Sequence, residues 1–300
     1  MQNCFSRLIR GLLVSLCLSA SQAQAASYTI NGDMAGSASH YTVQRGDNLY
    51  ILARRFDVGI VALLAANPGV TPKNLKAGQT LLLPTAYVLP RPHNGIVLNL
   101  PELRLFYFVD EHTVLTFPVS IGREGWKTPL GVTEIVLKRK DPVWIPPDSI
   151  REEDPTLPDK VPAGPHNPLG LYAMNLGWSG YRIHGTNAPY SIGRRGSHGC
   201  IRLYPEDIET LFKAVEKGTM VTVIDAPYKI GWQDDKLFLE VSPTQAQDDA
   251  IGIFHTPRPE KFKELEDVVR AHANGAAINW KAVEQAADAH SGVPVEIGKK

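Results

Sequence analysis

The chain has 300 residues, 43% of them hydrophobic and 21% charged, with 31 basic and 31 acidic side chains and no net charge. That composition excludes a disordered chain and suits one large domain or two to three small ones. With no basic run and no ladder of aromatic and basic residues, nothing in the charge pattern favours nucleic acid or an anionic membrane as a partner.

The first 25 residues read as an export leader. Arg7 and Arg10 make a positive start, Gly11 to Ala20 is apolar but too short to span a bilayer, and Ala23-Gln24-Ala25 fits the small-x-small cleavage rule. Cleavage is expected after Ala25, leaving 29 basic against 31 acidic residues, a net −2. Leu16 is too bulky before Cys17 for a lipoprotein signal, and no later stretch is apolar enough to be transmembrane. Cleavage removes Cys4 and Cys17, so Cys200 stands alone and no intramolecular disulfide can form. Set in Ser197-His198-Gly199-Cys200 rather than in an apolar run, it reads as a reactive thiol.

Ala26 to Ser39 is a polar lead-in, expected to be irregular or loosely attached. His40 to Pro84 reads as a separate module. Tyr41 to Val43 alternates toward a strand, and Asp47 is the expected N-cap of a helix with Leu49, Leu52, Ala53 and Phe56 at helical spacing. A second helix fits Val61 to Ala66, and Thr80 to Leu83 a second strand. The order strand, helix, helix, strand describes a small α+β unit over residues 40–84. The segments YTVQRGDNLYILARRF, LLAANP and LKAGQTLLLP resemble a LysM domain. That resemblance implies affinity for the N-acetylglucosamine-containing glycan of peptidoglycan, with a spacer fold that no longer binds sugar left open. Tyr87 to Asn94, with Pro90 and Pro92, is expected to be a semi-rigid linker.

Residues 95–225 form the next unit. Strands are predicted at Ile96 to Leu100, Arg104 to Val109, Val114 to Ile121, Gly131 to Leu137, Gly170 to Ala173, Tyr181 to Ile183 and Met220 to Ile224, with one helix from Pro205 to Glu216. Asp141 to Pro168 is too rich in proline for a regular central element and is expected to be one wall of a cleft. Residues 226–300 read as an α/β extension: a hairpin around Asp234-Asp235, then helical runs from Lys261 to Ala276 and Trp280 to His290. Packing against the preceding unit is the expected role.

Tyr181 to Leu203 concentrates the chemistry. It holds Cys200, His184, His198, Arg194, Arg195 and Arg202, and its glycines leave backbone N–H groups open beside the sulfur. Bases and positive fields stabilise a thiolate, and paired N–H groups stabilise an oxyanion. His184, a spacer, then Ser197-His198-Gly199-Cys200 resembles the signature of the YkuD-type L,D-transpeptidases, bacterial cysteine enzymes that remodel peptidoglycan. Ile183-His184-Gly185-Thr186-Asn187 and Cys200-Ile201-Arg202-Leu203 look most like the ErfK/YbiS subgroup, which attaches Braun's lipoprotein to the wall.

The resemblance implies a periplasmic enzyme with a mostly β catalytic domain, a YkuD-like β-sandwich with one main helix. Cys200 would be the nucleophile and His184 the proton donor and acceptor, oriented by the backbone carbonyl of Gly185. The N–H groups of Gly199 and Cys200 would serve the oxyanion, and His198 would shape the pocket. Ser197, Arg202, Arg195 and Asn187 are candidate substrate contacts, with Arg202 suited to a carboxylate. The donor would be a tetrapeptide stem ending in diaminopimelate and D-alanine. The acceptor would be the lipoprotein's C-terminal lysine or a second diaminopimelate, and carbapenems would acylate Cys200. No cofactor or metal is expected. Hydrolysis by the same residues stays open, as do a zinc site on His184, His198 and Cys200, which lacks HExxH or CxxC spacing, and a non-catalytic wall-binding role.

Overall fold

The computed structural model describes residues 26–254 and 264–300; the leader and the start of the run from Lys261 lie outside them. In chain order the first elements are β1 Ala26–Asn31, β2 Met34–Gly36, β3 Ser39–Thr42, α1 Leu49–Arg55, α2 Ile60–Ala65, β4 Thr80–Leu83 and β5 Ala86–Val88. The lead-in is therefore not loose. Ala26, Tyr28 and Ile30 turn inward while Ser27, Thr29 and Asn31 face out, and β1 pairs antiparallel with β8 (Thr113–Pro118), Tyr28 opposite Val114. A short alternating segment of this kind gains its stability from covering an otherwise free sheet edge. The expected linker is built in as well: β5 pairs with β2, and Tyr87, Val88 and Leu89 are buried.

Between β1–β2 and β5 lies the strand–helix–helix–strand unit, its β3 and β4 antiparallel with Tyr41 opposite Leu81. Asn48, not Asp47, caps α1, its side chain accepting from Tyr50 N. Asp47 instead closes the turn, accepting from Gln44 N at 2.7 Å and Tyr41 Oη at 2.8 Å.

The central unit continues with β6 Gly95–Asn99, β7 Arg104–Phe108, β8 Thr113–Pro118, β9 Ile121–Gly122, β10 Gly131–Lys140, α3 Asp148–Glu153, β11 Tyr172–Leu176, β12 Arg182–His184, β13 Arg195–Ser197, β14 Ile201–Arg202, α4 Pro205–Ala214 and β15 Met220–Ile224. The main sheet runs β14-β12-β11-β10-β15-β6-β7-β8-β1-β2-β5. Its centre is covered on both sides: Ile96, Leu98 and Leu105 face the larger core, whereas Val97 and Phe106 face a smaller one with Tyr87 and Phe108. The larger core also takes in Leu49, Leu52, Leu63 and Leu81, so the small unit is seated on the central one rather than tethered to it. At the seam Val61 N donates to Gly193 O at 3.2 Å. A Cβ on Gly193, whose φ is +81°, would meet Gly59 Cα at 2.3 Å, so this approach requires glycine.

The tail comprises β16 Tyr228–Gln233, β17 Lys236–Val241, α5 Gln245–Phe254, α6 Leu265–His272, β18 Ala277–Ile278, α7 Trp280–Ala289 and β19 Val295–Lys299. The hairpin turns at Asp234 as expected, and β19 adds to β17 over a core of its own with Leu237, Val269 and Ile297. Lys229, bonded to Glu102 at 2.6 Å and Glu240 at 3.2 Å, stitches the tail to the sheet, and Glu240 accepts from Val88 N. Among the described residues no helix is long and apolar enough to cross a membrane.

Candidate active site

Two short strands set the floor of the cleft. β12 and β14 are parallel, with Ile183 opposite Ile201 and His184 opposite Arg202. Both isoleucines are buried in the core. Strand alternation therefore turns Arg182, His184 and Arg202 to the other face, with Cys200 two residues before Arg202 on the same side. All four line one cleft, walled by Trp144, Pro147, Ser149 and Ile150 from the proline-rich excursion and by Trp126 and His198. The excursion is thus a wall, as its composition predicts; the short helix α3 within it begins directly after Pro146-Pro147, where proline fits a helix start.

His184 is 4% exposed. Its Nδ1 lies 2.7 Å from Gly185 O, and because a carbonyl only accepts, Nδ1 carries the hydrogen. The neutral ring then presents Nε2 as an acceptor. Burial, aided by the positive Arg202, lowers its pKa to about 3. Burial also pushes the Cys200 thiol up, against the opposing pull of the Arg182 N–H and the Arg182 and Arg202 guanidinium groups. At neutral pH the cleft therefore holds a thiol, which donates to Gly180 O at 3.6 Å, and a neutral imidazole.

The loop before the sulfur is held from within. Ser197 Oγ donates to Cys200 O at 2.5 Å and accepts from Gly199 N at 3.1 Å. Thr128 Oγ1 donates to Gly199 O at 2.9 Å. Gly199 has φ +97°, and a Cβ there would meet Tyr181 Cε1 at 2.9 Å, so both conformation and space require glycine. The structure gives several of the expected site residues partners outside the cleft or within the loop. Gly199 N–H is bonded to Ser197 Oγ rather than open to the cleft. Ser197, fully buried, has its hydroxyl bonded within the loop. The Arg195 side chain, 8% exposed, points away to Asp249 on α5 at 2.5 Å and to Gln245 O. Exposed Asn187 donates to His166 O at 3.2 Å, pinning the end of the wall, and is absent from the cleft lining.

His198 occupies the rim. Its Nε2 lies 2.9 Å from Glu153 Oε2, and its ring meets Trp126 edge-on at 4.8 Å. Glu153 also accepts from Arg123 Nη2 at 2.6 Å and Trp126 Nε1 at 3.1 Å. The His198 hydrogen bond, reinforced by Arg123, holds its carboxyl below the usual range. The sequence reading missed this set. Glu153 is 45 residues from His198 and no spacing marks it, whereas Arg182, two before His184 on the same strand face, was findable by alternation. The zinc alternative required His184, His198 and Cys200 to converge; among the described residues no three His, Cys, Asp or Glu side chains are arranged to hold a metal.

The L,D-transpeptidase catalytic domain profile matches residues 93–223, and the LysM profile matches residues 41–84. The Escherichia coli protein named "Probable L,D-transpeptidase YcfS" is 36% identical over 276 residues, 86% of this chain and 82% of that one. Its compatriot "Probable L,D-transpeptidase YbiS" is 34% identical over 299 residues, 95% of each chain. The chain belongs to the L,D-transpeptidase family. A solved catalytic domain of Enterococcus faecium L,D-transpeptidase aligns with 45% of this chain and 100% of that one, at 27% identity and a TM-score of 0.36. The assignment rests on the two Escherichia coli relatives and the catalytic-domain profile, which identify a cysteine L,D-transpeptidase with a LysM domain.

Proposed function

We propose that the transpeptidase is exported through a leader cleaved after Ala25 and works in the periplasm on peptidoglycan stem peptides, with Cys200 as nucleophile and His184 as its proton partner. The observation that carries this reading is the orientation of His184. With Nδ1–H tied to the Gly185 carbonyl, Nε2 is left as the ring's acceptor, and the ring lines the same cleft as Cys200. A carbonyl does here what a carboxylate does in a serine triad: it fixes the tautomer without adding charge.

The reaction divides into two acyl transfers. The Cys200 sulfur attacks the diaminopimelate carbonyl that carries the terminal D-alanine, and His184 takes the thiol proton. That proton passes to the departing D-alanine amine as the C–N bond breaks, leaving a thioester. An acceptor amine then attacks the thioester, gives its proton to His184, and the thiolate leaves and is reprotonated. The N–H of Cys200 is the remaining oxyanion donor of the loop. Arg202, whose buried Nε has no acceptor, suits a stem carboxylate. The LysM unit holds the glycan near the cleft. The C-terminal lysine of a Braun-type lipoprotein is the proposed acceptor, in keeping with the family's ErfK/YbiS branch, and carbapenems would acylate the same sulfur.

Purified residues 26–300 incubated with tetrapeptide-stem muropeptides and a lipoprotein C-terminal peptide test this by mass spectrometry. Loss of D-alanine with a new lysine amide, absent in Cys200→Ala, is the expected result. Stem dimers alone would move the acceptor to diaminopimelate, and tripeptides alone would make the enzyme a hydrolase.

A further inference from the structure

The LysM unit, the central unit and the start of β1 meet at a buried carboxylate pair remote from the cleft lining. Asp57 follows α1 of the LysM unit, Asp207 stands in the first turn of α4, and they are 6% and 2% exposed. The two carboxyls face one another closely enough to share a proton. If both are ionised, Asp57 Oδ1 and Asp207 Oδ2 are buried with no donor. The charges around them do not balance. Among the described residues Arg104, also buried, is the cation nearest the pair that no other carboxylate claims; it donates to Asp57 O at 2.8 Å and Thr116 Oγ1 at 2.9 Å. Glu206, next to Asp207, is already matched by Arg54 at 2.7 Å. Tyr28, Tyr87 and Tyr204, the other titratable groups facing the pair, remain neutral phenols, their pKa values raised chiefly by burial. Burial accordingly pushes the Asp57 carboxyl up to about 7, and Asp207 well above the usual range.

The remaining neighbour is the start of β1. Ala26 N donates to Asp57 Oδ2 at 3.1 Å. Ala26 is also the residue that follows the expected leader cleavage site. Uncut, its nitrogen is an amide with one hydrogen and no charge. Once cut, it is an α-amine with an ordinary pKa of about 8, protonated at neutral pH and carrying three donors. We propose that Asp57 and Asp207 form a binding site for the α-ammonium group of the mature chain's own first residue, Ala26. Two cations, Arg104 and the ammonium, then balance two carboxylates. The orphaned oxygens gain donors, and leader removal itself fastens β1 to the LysM unit and to α4. The consequence reaches toward the active site, because the next residue, Ile208, packs so closely on Gly185 that a Cβ there would meet its Cγ2 at 3.0 Å.

This inference rests on cleavage after Ala25, so the test separates the two. Intact mass of the exported protein locates its first residue; a start other than Ala26 overturns both the cleavage reading and the site. With Ala26 confirmed, three forms of residues 26–300 are compared: the free amine, the Nα-acetylated chain, and a chain extended by Gly-Ser. The free amine should melt higher than both blocked forms by on the order of 5 °C. That advantage should vanish in Asp57→Asn. Independently of that variant's folding, an amine-reactive ester should label Ala26 far more slowly in the folded chain than in urea. Equal melting of the three forms, or equally fast labelling in the folded and unfolded chains, would overturn the site while leaving export and catalysis untouched.

Discussion

His184 and His198 line the same cleft but occupy opposite environments. His184 lies on the floor, buried, bonded to a backbone carbonyl and held neutral. His198 lies on the rim, its side chain 23% exposed and paired with the Glu153 carboxylate. Side-chain type therefore says little about role here; what each ring faces decides it. The floor is built on paired strands, where register dictates direction. The rim joins loops and a six-residue helix through polar contacts that water and salt can compete for. The largest expected effects accordingly fall on the floor. Cys200→Ala should abolish D-alanine release altogether while leaving the melting temperature near that of the parent. His184→Gln should lower kcat roughly 100- to 10,000-fold, read as D-alanine release at saturating stem peptide. If either variant retains near-full turnover, the floor is not the reacting centre.

The pH behaviour of the floor sharpens the contrast. His184 is depressed from 6.5 to about 3, so its basic form persists far below the range of an ordinary histidine. The acid limb of Cys200 acylation should lie well under pH 6, whereas an exposed histidine base would place it near 6.5. Stability carries the same signature. Above pH 6.5 neither the folded nor the unfolded chain protonates this ring. As pH falls from 6.5 toward 3, only the unfolded chain takes up the proton, and stability is lost by on the order of 4 kcal/mol across that window. Urea titrations of parent and His184→Gln at a series of pH values would show that loss shrinking in the variant.

A smaller effect is expected where the tail meets the active loop. Arg195 is buried against Asp249, but Asp249 is about one-third exposed, and solvent screening moderates the pair. Asp249→Asn should cost about 1–3 kcal/mol in urea, with kcat falling less than in any floor variant. On the rim, Glu153→Gln should raise KM by a few-fold with little change in kcat, because it frees His198 and Trp126 without touching His184 or Cys200. A collapse of kcat in Glu153→Gln would erase the distinction between floor and rim.

The floor was also what the sequence made legible. His184, the SHGC run and Arg202 share one short stretch, and period-2 alternation places them on one strand face. The βααβ unit, α4 and the tail hairpin were equally local in their signals. What escaped was non-local. The lead-in strand β1 alternates over only six residues, and it becomes a strand because β8 offers an edge. Glu153 meets His198 only through the fold. Arg195 lies five residues from the cysteine yet turns away, because β13 pairs with β9 and directs its side chain toward α5. Ser197 and Gly199 sit in the signature itself, but whether they bind substrate or hold the loop depends on hydrogen bonds that no spacing encodes.

The least costly change should be at the outer edge of the domain seam. Arg54 makes a two-pronged contact with Glu206, both bonds at 2.7 Å, between α1 and α4. By distance alone it is the best ion pair joining the LysM and catalytic units. It is also exposed, at 41% and 23% for the two side chains, so water already solvates much of the charge and ordering the long arginine offsets part of the attraction. A double-mutant cycle of Arg54→Met with Glu206→Gln should return a coupling of no more than about 1 kcal/mol. The seam has other means of support: the shared apolar core and the Gly59–Gly193 contact. A coupling of several kcal/mol would reverse that ranking and make the exposed fork, rather than the buried core, the principal clamp between the two units.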